Sequence, residues 1–216
     1  MNVLGEDIKQ VINEVGEPIA IYKHNTQKTV REKLDFKRFW GTRIPFENEY
    51  QVLCSLVYDT KANPGDRMTI LSDNTHYVIA NMVSEYFEGF IITKESFMYK
   101  CNSTFSTFRL SSGLSRDENY SLQNEWDIVL SGEYCLFTGA LEYGHSVEDE
   151  MYARFQQKKR RLITSNDLNI QIGDKIEVIP AVSEGIDSET EIWMVELLEA
   201  NRLHGIKVCN LGEFTG

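Results

Sequence analysis

Four histidines, His24, His76, His145 and His204, and four cysteines, Cys54, Cys101, Cys135 and Cys209, are the side chains of this 216-residue sequence best suited to nucleophilic or general-base work. They are scattered. A thiolate–imidazole pair between Cys54 and one of the histidines would have to be assembled by the fold alone, because no local pattern brings them together. The cysteines show no Cys-x-x-Cys and no histidine at zinc-finger spacing, and each adjoins strand-like apolar residues. That is the setting of buried free thiols in a reducing compartment. Glu148, Asp149 and Glu150 could offer oxygens to a hard cation, yet they lack the Asp-x-Asp-x-Asp-Gly order that wraps a calcium ion, so a solvated acidic turn is expected. Phosphate-binding, dinucleotide-binding, zincin and nucleophile-elbow motifs are all missing. The residues point away from an enzyme, and neither a cofactor nor a metal is expected.

Charge carries the next signal. A formal net charge of −11 disfavours a protein that grips nucleic acid by neutralising phosphates, although an acidic wall would let a duplex slide past without sticking. Against that background Arg154, Lys158, Lys159, Arg160 and Arg161 form a basic cluster a few residues after the acidic Glu148–Glu150 turn. A solvated loop, a contact with an acidic patch on a neighbouring subunit, and a phosphate contact all remain open for it. These two clusters are the candidate inter-subunit contacts.

The elements that would position such groups read as mainly β. Leu4, Ile8, Val11, Ile12 and Val15 recur at helical spacing before Gly16 and Pro18, which predicts a short helix over 1–15. Strand-like alternation then runs through Tyr50–Tyr58, Arg67–Leu71, His76–Val83, Gly89–Thr93 and Thr104–Leu110. It resumes in Trp126–Leu130, Glu133–Phe137, Arg161–Thr164, Lys175–Ile179, Glu191–Leu198 and Leu203–Val208. Many short strands predict small barrels, one over 16–110 and one over 125–216, with a Ser-rich linker at 111–124 and a loop or helix inserted at 146–160. No apolar run is long enough to span a membrane, and no signal peptide is visible.

The two halves are similar to each other. Gly65-Asp66-Arg67-Met68-Thr69-Ile70 parallels Gly173-Asp174-Lys175-Ile176-Glu177-Val178, Tyr77 parallels Trp193, and both copies reach a Cys-Asn pair, Cys101-Asn102 and Cys209-Asn210. Gly16-Glu17 upstream parallels Gly132-Glu133. The reading is an internal duplication in which these residues define the fold: glycine and aspartate make the turn, and the aromatic fills a small barrel.

Over roughly residues 60–110 the order Gly65-Asp66, His76-Tyr77-Val78-Ile79, Gly89-Phe90-Ile91, then Lys100-Cys101-Asn102-Ser103-Thr104-Phe105 resembles the small β-barrel head-closure and connector proteins of tailed bacteriophages. That resemblance implies a structural protein of the virion neck, made in the host bacterial cytoplasm. It would form a homo-oligomeric ring between portal or adaptor and tail proteins, with DNA passing through the lumen. A tail or baseplate component and, in a different class, an oligonucleotide-binding barrel are the alternatives. The duplication and the 146–157 insertion depart from the family pattern.

Overall fold

The computed structural model describes residues 2–37, 50–116, 122–139, 160–180, 190–199 and 203–214. Among these residues strand predominates, in two closed six-stranded barrels preceded by one helix.

Helix α1, Val3–Val15, begins where the Asn2 side chain accepts a hydrogen bond from the Gly5 amide at 3.1 Å, and it stops at Gly16. It packs on the first barrel through Gly5 and Ile12, which are buried, whereas Leu4, Val11 and Val15 stay exposed. The first barrel is β1 (Glu17–Lys23), β2 (Lys28–Lys37), β3 (Gln51–Val57), β4 (Arg67–Ile70), β5 (His76–Phe87) and β6 (Phe90–Lys100), closed in the order β1-β2-β3-β6-β5-β4. The second is β7 (Ser103–Arg116), β8 (Leu122–Gly139), β9 (Arg160–Ser165), β10 (Lys175–Pro180), β11 (Glu191–Glu199) and β12 (Ile206–Glu213). Its order, β7-β8-β9-β12-β11-β10, is the same circuit.

Register shows the duplication in the barrel interiors. Ile19 pairs with Ile70 and Ile21 with Met68 in the first barrel; Phe105 pairs with Val178 and Thr107 with Ile176 in the second. Met68 faces Tyr77, and Ile176 faces Trp193. Both interiors are therefore filled from equivalent positions with different shapes. Ile19 corresponds to the larger Phe105, while Leu34 corresponds to the smaller Cys135.

Three expectations need correction. First, the strand from Ser103 hydrogen-bonds in the second barrel, so residues 103–110 do not close the first one. Second, much of the expected linker is strand: β7 reaches Arg116 and β8 starts at Leu122. Register shifts between Phe105 and Phe108 and between Leu110 and Leu114 break the two-residue alternation by which a strand is recognised. Third, Arg160, expected in the insertion, is the first residue of β9. Residues 117–121 and 146–159 lie outside the described residues. Strand β2 was not anticipated, because Lys28, Arg31, Glu32, Lys33, Asp35 and Lys37 mask the inward Leu34.

By compactness the first unit contains residues 1–101 together with 164–167 and 201–207. Within that unit the Gly205 amide donates to Ala80 O at 3.0 Å, and the buried Ser165 hydroxyl donates to Gly65 O at 2.6 Å. A Cβ on Gly205 would meet the Ile79 carbonyl and the Gly65 amide, which are backbone atoms with little freedom to move. Gly205→Ala is expected to expel the 203–207 loop from the unit at a cost of about 2 kcal/mol. Native-state hydrogen exchange would show it as lost protection at the Gly65 and Gly205 amides, and unchanged protection there would refute the role given to Gly205.

Candidate functional site

The Gly-Asp turn is a sequence-predicted site whose polar contacts recur in both barrels. Residues 63–66 close a turn by Asp66 N–H donating to Asn63 O at 3.1 Å, with Gly65 at φ +93° in the third position. Residues 171–174 repeat it, with an Asp174 N to Gln171 O distance of 3.2 Å and Gly173 at φ +89°. Glycine is demanded there because a side chain disfavours that left-handed backbone. The glycine amides then donate to Ile79 O and Val195 O, both at 2.8 Å.

Each aspartate closes the turn from its other side. Asp66 Oδ2 accepts from the Asn63 amide and Asp174 Oδ2 from the Gln171 amide, both at 2.8 Å. Both carboxylates are buried, and each meets a cation from the first strand of its barrel. Lys23 Nζ lies 3.0 Å from Asp66 Oδ2. Arg109 Nε and Nη2 lie 2.8 and 2.9 Å from the two oxygens of Asp174, a bidentate fork. The Asp174 carboxylate raises the pKa of Arg109 further above its ordinary value. The residue after each aspartate stacks on the aromatic next to that cation: Arg67 over Tyr22 at 4.6 Å, and Lys175 over Phe108 at 4.4 Å.

This node offers little for catalysis. Both oxygens of Asp174 are engaged in charge-assisted hydrogen bonds that hold a turn shut. Lys23 and Arg109 were missed in the sequence, although the aromatic–basic dipeptides Tyr22-Lys23 and Phe108-Arg109 stand in each first strand as their signal.

The other candidates separate. Tyr77 and Trp193 do occupy equivalent interior positions, each against a phenylalanine at a similar tilt: Phe36–Tyr77 at 6.4 Å and Phe137–Trp193 at 6.3 Å. The Cys-Asn pairs do not correspond. Met98 pairs with Ile79 and Leu211 with Val195, so Cys209 matches Ser96, whereas Cys101 follows the end of β6. Gly16-Glu17 and Gly132-Glu133 also part company, because the first opens β1 and the second lies within β8. Asn102 instead extends β7 by its side chain, accepting from Phe137 N at 2.8 Å and donating to Phe137 O at 2.9 Å.

All four cysteines are thiols outside any disulfide, and Cys54, Cys135 and Cys209 are buried. Cys101 is half-buried as a residue, and desolvation pushes its thiol up to about 12, which makes it a poor nucleophile. Burial lowers the pKa of His76, whose Nδ1 lies 2.9 Å from the Thr69 hydroxyl. Of the proposed inter-subunit contacts, Arg160 and Arg161 are described, and both are engaged inside the chain. Arg161 binds Glu199 Oε1 at 3.1 Å and Asn210 Oδ1 at 3.3 Å, while Arg160 lies 3.8 Å from Glu191 Oε2 and over the rings of Phe137 and Trp193. Glu148, Asp149, Glu150, Arg154, Lys158 and Lys159 fall outside the described residues. Among the described residues no group of three or more His, Cys, Asp or Glu could hold a metal ion.

One buried polar atom marks a difference between the barrels. The Thr107 hydroxyl is fully buried without a hydrogen-bond partner, where the first barrel has Ile21. Thr107→Val is expected to stabilise the protein by about 1 kcal/mol, since it removes an unsatisfied group without changing shape. A urea midpoint that fails to rise would contradict this.

No protein-family model and no curated protein matches the sequence. Among solved structures the chain is similar to K. pneumonia MrkH in a P2(1) crystal, at 10% identity and a TM-score of 0.22, over 98% of this chain and 84% of that one. Apo MrkH gives a TM-score of 0.24 at 10% identity over the same shares. A third structure, of MrkH described as a c-di-GMP-dependent transcription regulatory factor, gives 0.20 at 9% identity over the same shares. Likenesses this loose carry no argument about fold or function.

Proposed function

We propose that the chain is a structural protein of a tailed-bacteriophage virion, a ring-forming component of the head–tail connector that joins capsid to tail around the DNA channel. One observation carries this reading beside the resemblance over residues 60–110: the repeated polar constellation of the molecule is engaged in holding two barrels shut. Function then falls to exposed surfaces, as in an assembly protein. The net charge of −11 suits a wall past which DNA moves without adhering.

The oligonucleotide-binding alternative draws no support from the architecture, because that class is a five-stranded, partly open barrel whereas these barrels close with six strands. Gold-labelled antibody on purified particles tests the proposal. Label at the junction of head and tail is expected. Label on the distal tail would move the chain to the tail or baseplate, and its absence from washed particles would reject a virion role. A gel shift of duplex DNA at low salt should be negative.

A further inference from the structure

Helix α1 has more apolar surface than its barrel covers. It packs against β6, β2 and β3 with Gly5 and Ile12 buried. Polar ties hold it there: Asn2 Nδ2 donates to Ile91 O at 2.7 Å, Lys9 Nζ meets Asp59 Oδ2 at 2.6 Å, and the Tyr58 hydroxyl donates to Glu6. A second apolar line remains. Leu4, Ile8, Val11 and Val15 follow one another at steps of four, three and four, the spacing of a coiled-coil seam. Val15 is 80% exposed, Val11 57% and Leu4 38%, while Ile8 is half-buried. Gly5 and Ile12 each follow a seam residue by one position, about 100° further round the helix, so barrel contact and seam are distinct.

Charge borders the seam on its other edge. Asp7 and Glu14, both exposed, precede Ile8 and Val15 by one residue and form an acidic row there. Glu14 accepts from Gln10 Nε2 at 2.9 Å, a neutral partner. Lys9, the basic residue of α1, is engaged with Asp59, and the last turn of the helix carries no cation. Glu14 therefore stands near the negative end of the helix dipole, where a cation supplied from outside would be stabilising.

We infer that the seam docks a basic amphipathic helix of another protein, with an apolar line against Leu4, Ile8, Val11 and Val15 and with lysine or arginine facing Asp7 and Glu14. Charge decides the occupant, because the rows that flank a seam set partner choice and orientation. Two copies of α1 fail that condition in both orientations. Paired in parallel, Asp7 and Glu14 would turn toward the row of Gly5 and Ile12 in the copy, which its own barrel covers. Paired antiparallel, Asp7 would face Glu14 of the copy, carboxylate against carboxylate. The inference goes beyond the connector reading and stands without it.

The test is fluorescence anisotropy of a labelled synthetic helix, with leucine and isoleucine along its seam and lysine in both flanking rows, titrated with the full-length protein at low salt. A Kd on the order of 100 µM is expected, weak because α1 offers a short seam. The same peptide with glutamate for lysine should bind about tenfold more weakly, the scale of two exposed ion pairs lost. Val11→Gln/Val15→Gln removes exposed seam residues and keeps net charge and helix propensity. It should lose the lysine peptide at least about tenfold, with melting temperature unchanged. Asp7→Lys/Glu14→Lys should reverse the preference toward the glutamate peptide. Equal binding by wild type and Val11→Gln/Val15→Gln would reduce the effect to a cation drawn to an acidic protein and overturn the inference. An unreversed preference, or no binding of the lysine peptide, would overturn it as well. Wild-type oligomers in the ultracentrifuge that Val11→Gln/Val15→Gln abolishes would give the seam to a second copy and refute the assigned partner.

Discussion

Replacing Asp174 with alanine is expected to lower stability by about 3 kcal/mol, the lower end for breaking a buried ion pair by removing one partner. Two losses add. Arg109 keeps a charge whose fork was satisfied by both oxygens, and the Gln171 amide loses the acceptor that closed the turn. The cost stays at the low end because the Arg109 side chain is 29% exposed and can turn toward water. Asp66→Ala should cost less, about 2 kcal/mol, since Lys23 meets one carboxylate oxygen through a flexible stem, without a fork. Asp174→Asn should fall between wild type and alanine, keeping an acceptor for Gln171 but losing the fork. Urea unfolding at neutral pH measures all three through the midpoint, with the slope unchanged. Adding Arg109→Met to Asp174→Ala should recover part of the loss, because no buried charge is then stranded. A loss below about 1 kcal/mol for Asp174→Ala would show that the node does not hold the barrel.

How much of this was legible in the sequence differs by residue, for physical reasons. The Gly-Asp turns could be read because glycine at positive φ and an aspartate acceptor are local requirements, met within four residues. Tyr77 and Trp193 could be matched because each follows its turn on the adjoining strand. Lys23 and Arg109 could not, since their pairing with the aspartates spans 43 and 65 residues and depends on closure of the first strand onto the fourth. The Cys-Asn match misled for the opposite reason. It compared spacing along the chain, whereas equivalence in a barrel is set by register, and register puts Ser96 opposite Cys209 in the comparison. The Ser-rich stretch after Leu110 was read as linker because bulges removed its alternation, although much of it pairs in a ladder.

Trp193→Ala is expected to be the costliest single change, about 4 kcal/mol, within the range for deleting a buried aromatic. The indole is 6% exposed among Phe137, Ile176 and the rest of the second core, so truncation leaves a cavity bounded by a closed sheet that cannot collapse readily. It also strips a second group. Arg160 lies 5.7 Å over the Trp193 ring with its Nε buried and without a hydrogen-bond partner, held by two aromatic faces and by Glu191, which also accepts from the indole N–H at 3.1 Å. The first barrel meets the same geometry with less at stake: Tyr77 stands where Trp193 does, and the residue matching Arg160 is Val52. Tyr77→Ala should therefore cost about 3 kcal/mol, from the cavity alone. If the cation explains the difference, Trp193→Ala measured in an Arg160→Val background should fall to the Tyr77→Ala value. Equal penalties with and without Arg160 would assign the whole effect to cavity volume.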